Sequence, residues 1–389
     1  MLSHLESTLS IFFCILLIFI IIPATYWFKS SKDLRRCQNQ SILRDWQFWV
    51  PCLIYAFVLG FRWNYSHDWW QYYNTFNYLQ RGLLYRESTE PGYLAINYIL
   101  GQFGFNYYSI FILEGFVFIF SIYFLLRRER LAILFSLPLM YMACRYDCLN
   151  ISRQFFAQSI FWIAFALLLE NRKIAFGLLA CLAFSIHTSA ILWILPFCLL
   201  LRFRLPKLKY AILIYILCVV IQGIVQKYFV SASSVITEYF ISNKEYDSDA
   251  MMAERFQGHT ISLYHTILYS SIHIGYILSL YFVIKHTKQL SKSNYFILFA
   301  GYVGICLEVL GGTHEILDRT MWYFSYLYYL SWGLALSFLF RNRNKVRVPL
   351  YIWILNIIGI CRMFWSMYST ISDEVLSPLH FYLEYKIFN

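Results

Sequence analysis

Long apolar runs, separated by short basic segments, make up most of this chain. About 20 apolar residues in an α-helix span the ~30 Å hydrocarbon core of a bilayer. The pattern therefore predicts an all-α polytopic membrane protein with about twelve crossings, in which residues 1–389 form a single integral membrane domain. The predicted crossings are residues 9–28, 46–61, 107–126, 131–144, 154–169, 174–186, 188–201, 210–229, 265–284, 294–311, 320–340 and 348–368.

Positive charge is concentrated in six short segments between these runs. They hold 21 of the 32 Lys and Arg residues but only four acids, whereas the rest of the chain has 11 bases and 17 acids. Basic loops face the cytoplasm in membrane proteins, so the six segments predict the direction of each crossing and place both termini outside. The segments are 29–45, 127–130, 170–173, 202–209, 285–292 and 341–347.

The two runs around His187 are too short for ordinary crossings. Residues 174–186 and 188–201 number 13 and 14, which reach ~20 Å at 1.5 Å per residue. Because both are tied to basic segments, they predict a short hairpin, 174–201, whose tip at His187 lines protein or a water-filled cavity. The alternative is a pair of tilted helices or a thinned bilayer, with His187 at an ordinary interface.

The segments predicted to face outward are 62–106, 145–153, 230–264, 312–319 and 369–389. Residues 91–103 form an amphipathic pattern too short to cross, which predicts a helix in the outer interface. Residues 231–258 are polar and acidic, which is typical of a mobile loop over the outer mouth. Aromatic residues make up 21% of the chain, so they either line a cavity for sugar rings or an isoprenoid, or fill space between helices.

Composition narrows the class of protein. With 60% hydrophobic and 14% charged residues, the apolar runs exceed what one soluble core can bury. The net charge of +11 lies in loops between crossings, which argues against a nucleic-acid partner. The ten cysteines include no CxxC pair, so we expect no disulfide framework, no metal and no cofactor. Hydrolase, ATPase and metalloprotease functions lose support because GxSxG, Walker and HExxH motifs are absent.

Arginine dominates the positive charge on the predicted outer side, where Arg outnumbers Lys eight to three. Arg153 opens the apolar run 154–169, and a guanidinium at that depth marks a functional site by default. The planar guanidinium binds phosphate through two hydrogen bonds, so the arginines predict a diphosphate ligand at the outer leaflet. The alternative is local ion pairing: Arg62 with Asp68, Arg86 with Glu90, Arg145 with Asp147, and Arg319 with Asp318 or Glu315.

Several outward residues are candidates for a general base that acts on a sugar hydroxyl. They are His187, Asp68, Glu90 and the group His314, Glu315 and Asp318. A neutral imidazole accepts a proton near neutral pH, where a solvated aspartate is a weak base. We therefore favour His187 as the base, with Asp68 placing the acceptor sugar.

These positions resemble the EpsG-like branch of the Wzy-type bacterial polysaccharide polymerases. The resemblance covers roughly residues 60–330, and its most specific parts are Asn-x-x-Arg-Gln and His-x-Ser-Ala. It is carried by Arg62, Asp68, Tyr72 and Phe76; by Glu90-Pro91-Gly92-Tyr93 and Asn97; by Asn150, Arg153, Gln154 and Ala157; by His187-Thr188-Ser189-Ala190; and by Arg319 with Tyr323. The segment Ser377-Pro378-Leu379-His380 departs from the family's Pro-Tyr.

The resemblance implies a GT-C-related helical bundle in the bacterial inner membrane, with its active site facing the periplasm. It implies a transferase that moves a glycan from undecaprenyl diphosphate to the non-reducing end of another lipid-linked repeat unit. A chain-length regulator and membrane lipids are the other expected partners. The predicted site comprises His187, Asp68 and Glu90 for catalysis; Arg153, Arg145, Arg319 and Arg62 for the diphosphate; and Tyr72, Tyr73, Gln154, Asn150 and His314 for the glycan.

Three other functions share parts of this pattern. A lipid-linked glycan flippase needs charge along its whole path, whereas the intramembrane charges here lie toward the outer end, with Glu114 and Glu308 as the main exceptions. An O-antigen ligase carries a larger outer loop than residues 230–264, and a membrane acyltransferase a buried pair facing the cytoplasm. The sequence favours the polymerase.

Overall fold

The computed structural model describes residues 2–30, 45–66, 68–241, 263–287, 290–311, 315–376 and 384–385. Apolar sequence with few internal breakers folds these ranges into fourteen α-helices. They are α1 Leu2–Ser30, α2 Trp46–Gly60, α3 Trp69–Gln80, α4 Pro91–Gln102, α5 Tyr108–Leu126, α6 Ile133–Asn150, α7 Ser152–Leu169, α8 Lys173–Ile186, α9 Ile191–Leu200, α10 Leu208–Ile241, α11 Leu263–His286, α12 Lys292–Gly311, α13 Glu315–Asn342 and α14 Leu350–Leu376.

Each of the twelve predicted apolar runs is a helix in the structure, and the all-α membrane class is confirmed. Among the described residues, eight helices are long and apolar enough to cross a membrane: α1, α5, α6, α7, α10, α11, α12 and α14. The helices α2, α8 and α9 are apolar but shorter, and α13 is not among the eight. The count of twelve crossings therefore stays a prediction.

The chain folds as two compact units. The first comprises Met1–Phe197 and Ile360–Asn389. In it α2 packs on α5, α5 on α7, α7 on α8, and α1 on α2 and α6, while α3 packs on α4. Strand β1, Arg62–Trp63, pairs antiparallel with β2, Glu384–Tyr385. This unit contains most of the predicted site residues.

The second unit comprises Cys198–Gly359. Its centre is the pair α12 and α13, against which α10 and α11 pack. Gly304 allows this close contact, because a Cβ there would meet the backbone of Phe324 on α13. The buried Asn356 amide donates to Ser279 Oγ at 2.8 Å, which joins α14 to α11. The second unit contains Arg319.

The predicted cytoplasmic segments come together within each unit. In the first, Arg127 Nη2 and Arg128 Nη2 lie 2.7 Å and 2.8 Å from Glu170 Oε1, and Arg130 pairs with Asp45. In the second, the N–H of Leu205 donates to the Tyr295 hydroxyl at 2.9 Å, so the segment 202–209 contacts a residue just beyond the segment 285–292. Segments predicted to share one side of the membrane therefore lie together.

Parts of the predicted outer segments are helical instead of irregular. The helix α10 continues to Ile241, which is eleven residues beyond 230 and corrects the start of the predicted mobile loop; residues 242–262 lie outside the described ranges. The stretch 231–241 contains no Gly or Pro that would end the helix. The helix predicted at 91–103 is confirmed as α4, and its place in the outer interface stays a prediction. The helix α3 was not predicted, because six of its twelve residues are aromatic and its pattern has no clear period.

Candidate functional site

The site is built around the break between α6 and α7. Ile151, with φ −104° and ψ 48°, ends α6 and precedes the first turn of α7. The carbonyl of Leu149 accepts hydrogen bonds from Arg62 Nη2 and Ser66 Oγ, both at 3.1 Å. Asn150 Oδ1 accepts from the N–H of Asp68 at 3.2 Å. These bonds hold Arg62, Ser66 and Asp68 against the point where α7 begins, so the predicted substrate residue Asn150 positions Asp68.

Arg153, in the first turn of α7, forms an ion pair with Glu90. Arg153 Nη1 lies 2.9 Å from Glu90 Oε2, and the side chains are 19% and 11% exposed. The guanidinium also lies over the Tyr93 ring, 5.9 Å from its centre. Glu90 is extended, with φ −64° and ψ 142°, because it precedes Pro91, which opens α4. Arg153 therefore pairs with Glu90, whereas the local alternative assigned Glu90 to Arg86.

The turn that follows α8, at the predicted tip of the hairpin 174–201, lies beside this ion pair. The other carboxylate oxygen, Glu90 Oε1, accepts a hydrogen bond from the N–H of Thr188 at 3.4 Å. The helices α4 and α8 approach closely here, since a Cβ on Gly92 would lie 2.7 Å from the carbonyl oxygen of Ser185. Glu90 thus joins the N-terminus of α7 to the hairpin tip, and three sequence-predicted residues, Glu90, Arg153 and His187, belong to one region.

The ring of His187 caps the turn that follows it. His187 is extended, and the 3₁₀ turn Thr188–Ala190 begins directly after it. The Nδ1 atom of His187 accepts from the N–H of Ser189 at 3.3 Å and lies 2.7 Å from Ser189 Oγ. A neutral imidazole that accepts at Nδ1 carries its proton on Nε2. Its acceptor nitrogen is therefore engaged in the turn, which favours Glu90 over His187 as the proton acceptor.

Two predicted diphosphate ligands, Arg62 and Arg145, lie in the interior, each 2% exposed. Arg62 donates from Nη1 to the carbonyl of Leu59 at 2.9 Å and stacks on the ring of Phe111. Arg145 donates to the Tyr65 hydroxyl at 3.0 Å, and its guanidinium lies over the ring of Phe12. These contacts join helices of the first unit and leave little surface for a ligand.

The predicted glycan contacts divide into two groups. Tyr72 is buried, and its hydroxyl faces the backbone N–H of Arg153; burial raises the pKa of this phenol, which therefore stays neutral. Gln154 is buried in the first turn of α7. Asp68 and Tyr73 are half-buried, and Tyr73 belongs to an aromatic cluster. Its other members are Trp63, Trp69, Trp70 and Tyr107, and the Trp70 side chain is 45% exposed.

Glu114, which sequence reasoning set aside as an exception, lies behind Arg153. It is 6% exposed in the second turn of α5. Arg62 and Arg153 are the cations that act on its carboxylate, and the hydroxyls of Ser152 and Tyr93 lie beside it. It faces a cavity of about 10 Å³, which is the room that one water molecule needs. A lone acid within a predicted crossing was the signal that marked it.

The second unit holds the remaining predicted residues. Arg319 is half-buried in the first turns of α13, and its neighbour Asp318 accepts from Trp322 Nε1 at 3.0 Å. Glu308 of α12 accepts from the Tyr329 hydroxyl at 3.3 Å. His314 lies outside the described residues. The roles predicted for Arg319 and His314 stay predictions.

Comparison with known proteins identifies one relationship. The model of the EpsG family matches residues 45–387, a range that includes each residue of the region around Glu90. No curated protein and no solved structure matches the chain.

Proposed function

The chain belongs to the EpsG family, and from this premise we propose that it is a polysaccharide polymerase of the membrane. It transfers a growing glycan from undecaprenyl diphosphate to the non-reducing end of another lipid-linked repeat unit, on the periplasmic side of the bacterial inner membrane. The fold is a GT-C-related bundle with both termini outside. The family match and the apolar helices support this proposal.

The observation that carries the proposal is the ion pair between Arg153 and Glu90 at the start of an apolar helix. The first N–H groups of α7 have no acceptor within the helix, and together with the helix dipole they favour an anion. Arg153 adds a planar donor suited to phosphate oxygens. In the proposed donor complex the diphosphate takes Arg153 over from Glu90.

When the diphosphate takes the place of Glu90 at Arg153, the Glu90 carboxylate is free to act as a base. The oxygen of the acceptor hydroxyl forms a bond to the anomeric carbon of the donor glycan, and its proton passes to Glu90. The bond between the anomeric carbon and the diphosphate oxygen breaks, and its electron pair leaves with the lipid diphosphate. Arg153 stabilises the departing negative charge, as preorganised donors do in other transfer reactions.

The proposed contacts with the acceptor glycan are made by the aromatic cluster around Tyr73 and by Asp68. The aromatic cluster around Tyr73 has an exposed face at Trp70, and Asp68 lies at the start of the same helix, α3. Aromatic rings and a carboxylate are suited to the apolar faces and hydroxyls of sugars. We assign this surface to the acceptor glycan and retain Asp68 as a placing residue.

A deletion strain tests the proposed function. Without the protein, flipping and ligation continue, so the surface polysaccharide carries at most one repeat unit. A plasmid copy of the gene restores long chains. Complete loss of repeat units in the deletion strain would contradict a polymerase and favour a flippase or a ligase.

A further inference from the structure

Behind the pair of Arg153 and Glu90, buried polar atoms converge on Glu114. Both carboxylate oxygens of Glu114, Arg62 Nε, Ser152 Oγ and the Tyr93 hydroxyl are buried without a hydrogen bond of ordinary geometry to any residue in the described ranges. They come from four different elements: β1, α4, α5 and α7. Buried polar atoms in folded proteins are nearly always hydrogen-bonded, so a cluster of exceptions calls for a functional explanation.

Glu114 is not the direct counter-ion of either neighbouring arginine. Arg153 forms its ion pair with Glu90. The two terminal nitrogens of Arg62 donate hydrogen bonds to the carbonyls of Leu59 and Leu149. The carboxylate of Glu114 therefore lies close to positive charge but lacks a fixed contact that would hold it ionised.

The region has no spare positive charge for a diphosphate. The two cations that act on Glu114 are Arg62 and Arg153, and the two nearby carboxylates are Glu114 and Glu90. Their formal charges cancel. An anion with two charges that binds at Arg153 leaves the region net negative, and in a poorly solvated site that repulsion is strong. Uptake of a proton by a neighbouring carboxylate removes part of this repulsion.

We propose that Glu114 takes up a proton when an anionic diphosphate binds at Arg153, so that binding of the lipid diphosphate is coupled to protonation inside the bundle. The inference rests on the proposed function, which places the diphosphate at Arg153. The proton adds to one carboxylate oxygen of Glu114 and comes from solvent, and no other bond changes. When the lipid diphosphate leaves, the proton returns to solvent.

The other groups around Glu114 do not supply this proton exchange as directly. Facing its carboxylate are Arg62 from β1, Tyr93 from α4, and Ser152 and Arg153 from α7. Cys148 of α6 and Tyr72 of α3 interact with it, and Tyr55 of α2 lines the cavity. Glu90 is the other carboxylate of the region, but it already pairs with Arg153, whereas Glu114 lines the water-sized cavity.

The test measures binding of methanedisulfonate, a probe with two fixed negative charges that does not itself titrate. The purified full-length protein in detergent is titrated at constant ionic strength and several pH values. Uptake of one proton makes the affinity of wild-type protein fall by up to about tenfold per pH unit as the pH rises. In Glu114→Gln the affinity becomes independent of pH, and Glu114→Asp keeps the slope. Glu87→Gln, on an exposed loop residue, is the matched control and behaves as wild type.

Calorimetry on the wild-type protein gives a second readout that needs no variant. Binding of the probe in buffers of different ionisation enthalpy reports the number of protons taken up, and we expect a net uptake approaching one. A slope that persists in Glu114→Gln, or binding without proton uptake in the wild type, overturns the inference. If the probe binds equally well to Arg153→Gln, the anion site of the proposed function fails instead.

Discussion

Gly92 of α4 lies against the backbone of Ser185 at the end of α8, and a Cβ at this glycine would come within 2.7 Å of the Ser185 carbonyl oxygen. The contact allows Glu90, two residues earlier, to meet the N–H of Thr188. The separation of α4 and α8 therefore sets the distance between Glu90 and the turn at Thr188. Neither residue needs to contact substrate for this to matter.

We expect Gly92→Ala to impair polymerisation while the protein remains in the membrane. The added methyl group pushes α4 away from α8 and draws Glu90 out of the site. Misplacing a catalytic group by about 1 Å costs on the order of 100-fold in rate. The measurement is polysaccharide chain length at equal protein level.

The matched control for this substitution is Gly177→Ala in α8. No atom lies within 4 Å of a Cβ built there, and Ala favours a helix over Gly by about 1 kcal/mol. Wild-type chain length is expected. If both variants behave alike, the contact between Gly92 and Ser185 does not position the site.

Variants of His187 separate a capping role from a base. Asn supplies a side-chain oxygen that caps a turn, whereas Ala removes the cap at a cost of about 1 kcal/mol. If the ring acts by capping Ser189, His187→Asn retains most activity and His187→Ala loses it. Glu90→Gln keeps its shape but cannot accept a proton, so we expect a loss of about 100-fold or more.

The competing assignment, in which His187 is the base, gives a different pattern. His187→Asn is then as inactive as His187→Ala, although both are present at wild-type level. Activity of Glu90→Gln near that of the wild type would likewise remove Glu90 from the reaction. Chain length in complemented deletion cells reports both results.

At the opposite end of the first unit, Glu170 makes stability depend on pH. Burial opposes its ionisation, but the guanidiniums of Arg127 and Arg128 prevail and lower its pKa. A carboxyl with a lowered folded-state pKa stabilises the protein above its unfolded pKa of about 4.3 and loses this contribution as the pH falls. Because Glu170 is 21% exposed, we expect about 1 kcal/mol.

Thermal unfolding of Glu170→Gln in detergent checks this expectation. The variant melts below the wild type at neutral pH, and the difference shrinks as the pH falls below about 4. Glu87→Gln, an exposed carboxyl elsewhere, serves as the control and melts with the wild type. A difference that stays constant with pH would show that the charge of Glu170 is not the cause.

Local patterns account for much of the fold and for part of the site. Apolar runs and basic segments are properties of the sequence itself, and they placed the helices and grouped the basic segments 127–130 and 170–173, which meet in the first unit. The packing of residues 174–201 as a short hairpin stays a prediction. The common neighbourhood of Arg153 and His187 was expected for the same reason, since both border apolar runs. The helix α10 extends beyond its predicted end, because residues 231–241 contain no Gly or Pro that would end it.

The partners of the charged residues depend on packing between distant segments. Glu90 has Arg86 four residues away, yet it pairs with Arg153 at the start of α7. The contact between Gly92 and Ser185 brings the turn after α8 to the same carboxylate. Glu114 was visible only as a lone acid in an apolar run, and its neighbours come from three other elements. The cap that His187 forms on Ser189 is local, since the two residues are two positions apart.

The central claim is that Arg153 binds the diphosphate of a lipid-linked donor in a polymerisation reaction. Purified protein, reconstituted in lipid with a diphosphate-linked repeat unit, tests it most directly by the length of the glycan products. We expect wild-type protein to form polymers, and Arg153→Lys to be slower by about 100-fold or more, because a point charge does not replace the two-pronged guanidinium. Polymers formed by Arg153→Lys at the wild-type rate, or no joining of repeat units by the wild type, would contradict the account.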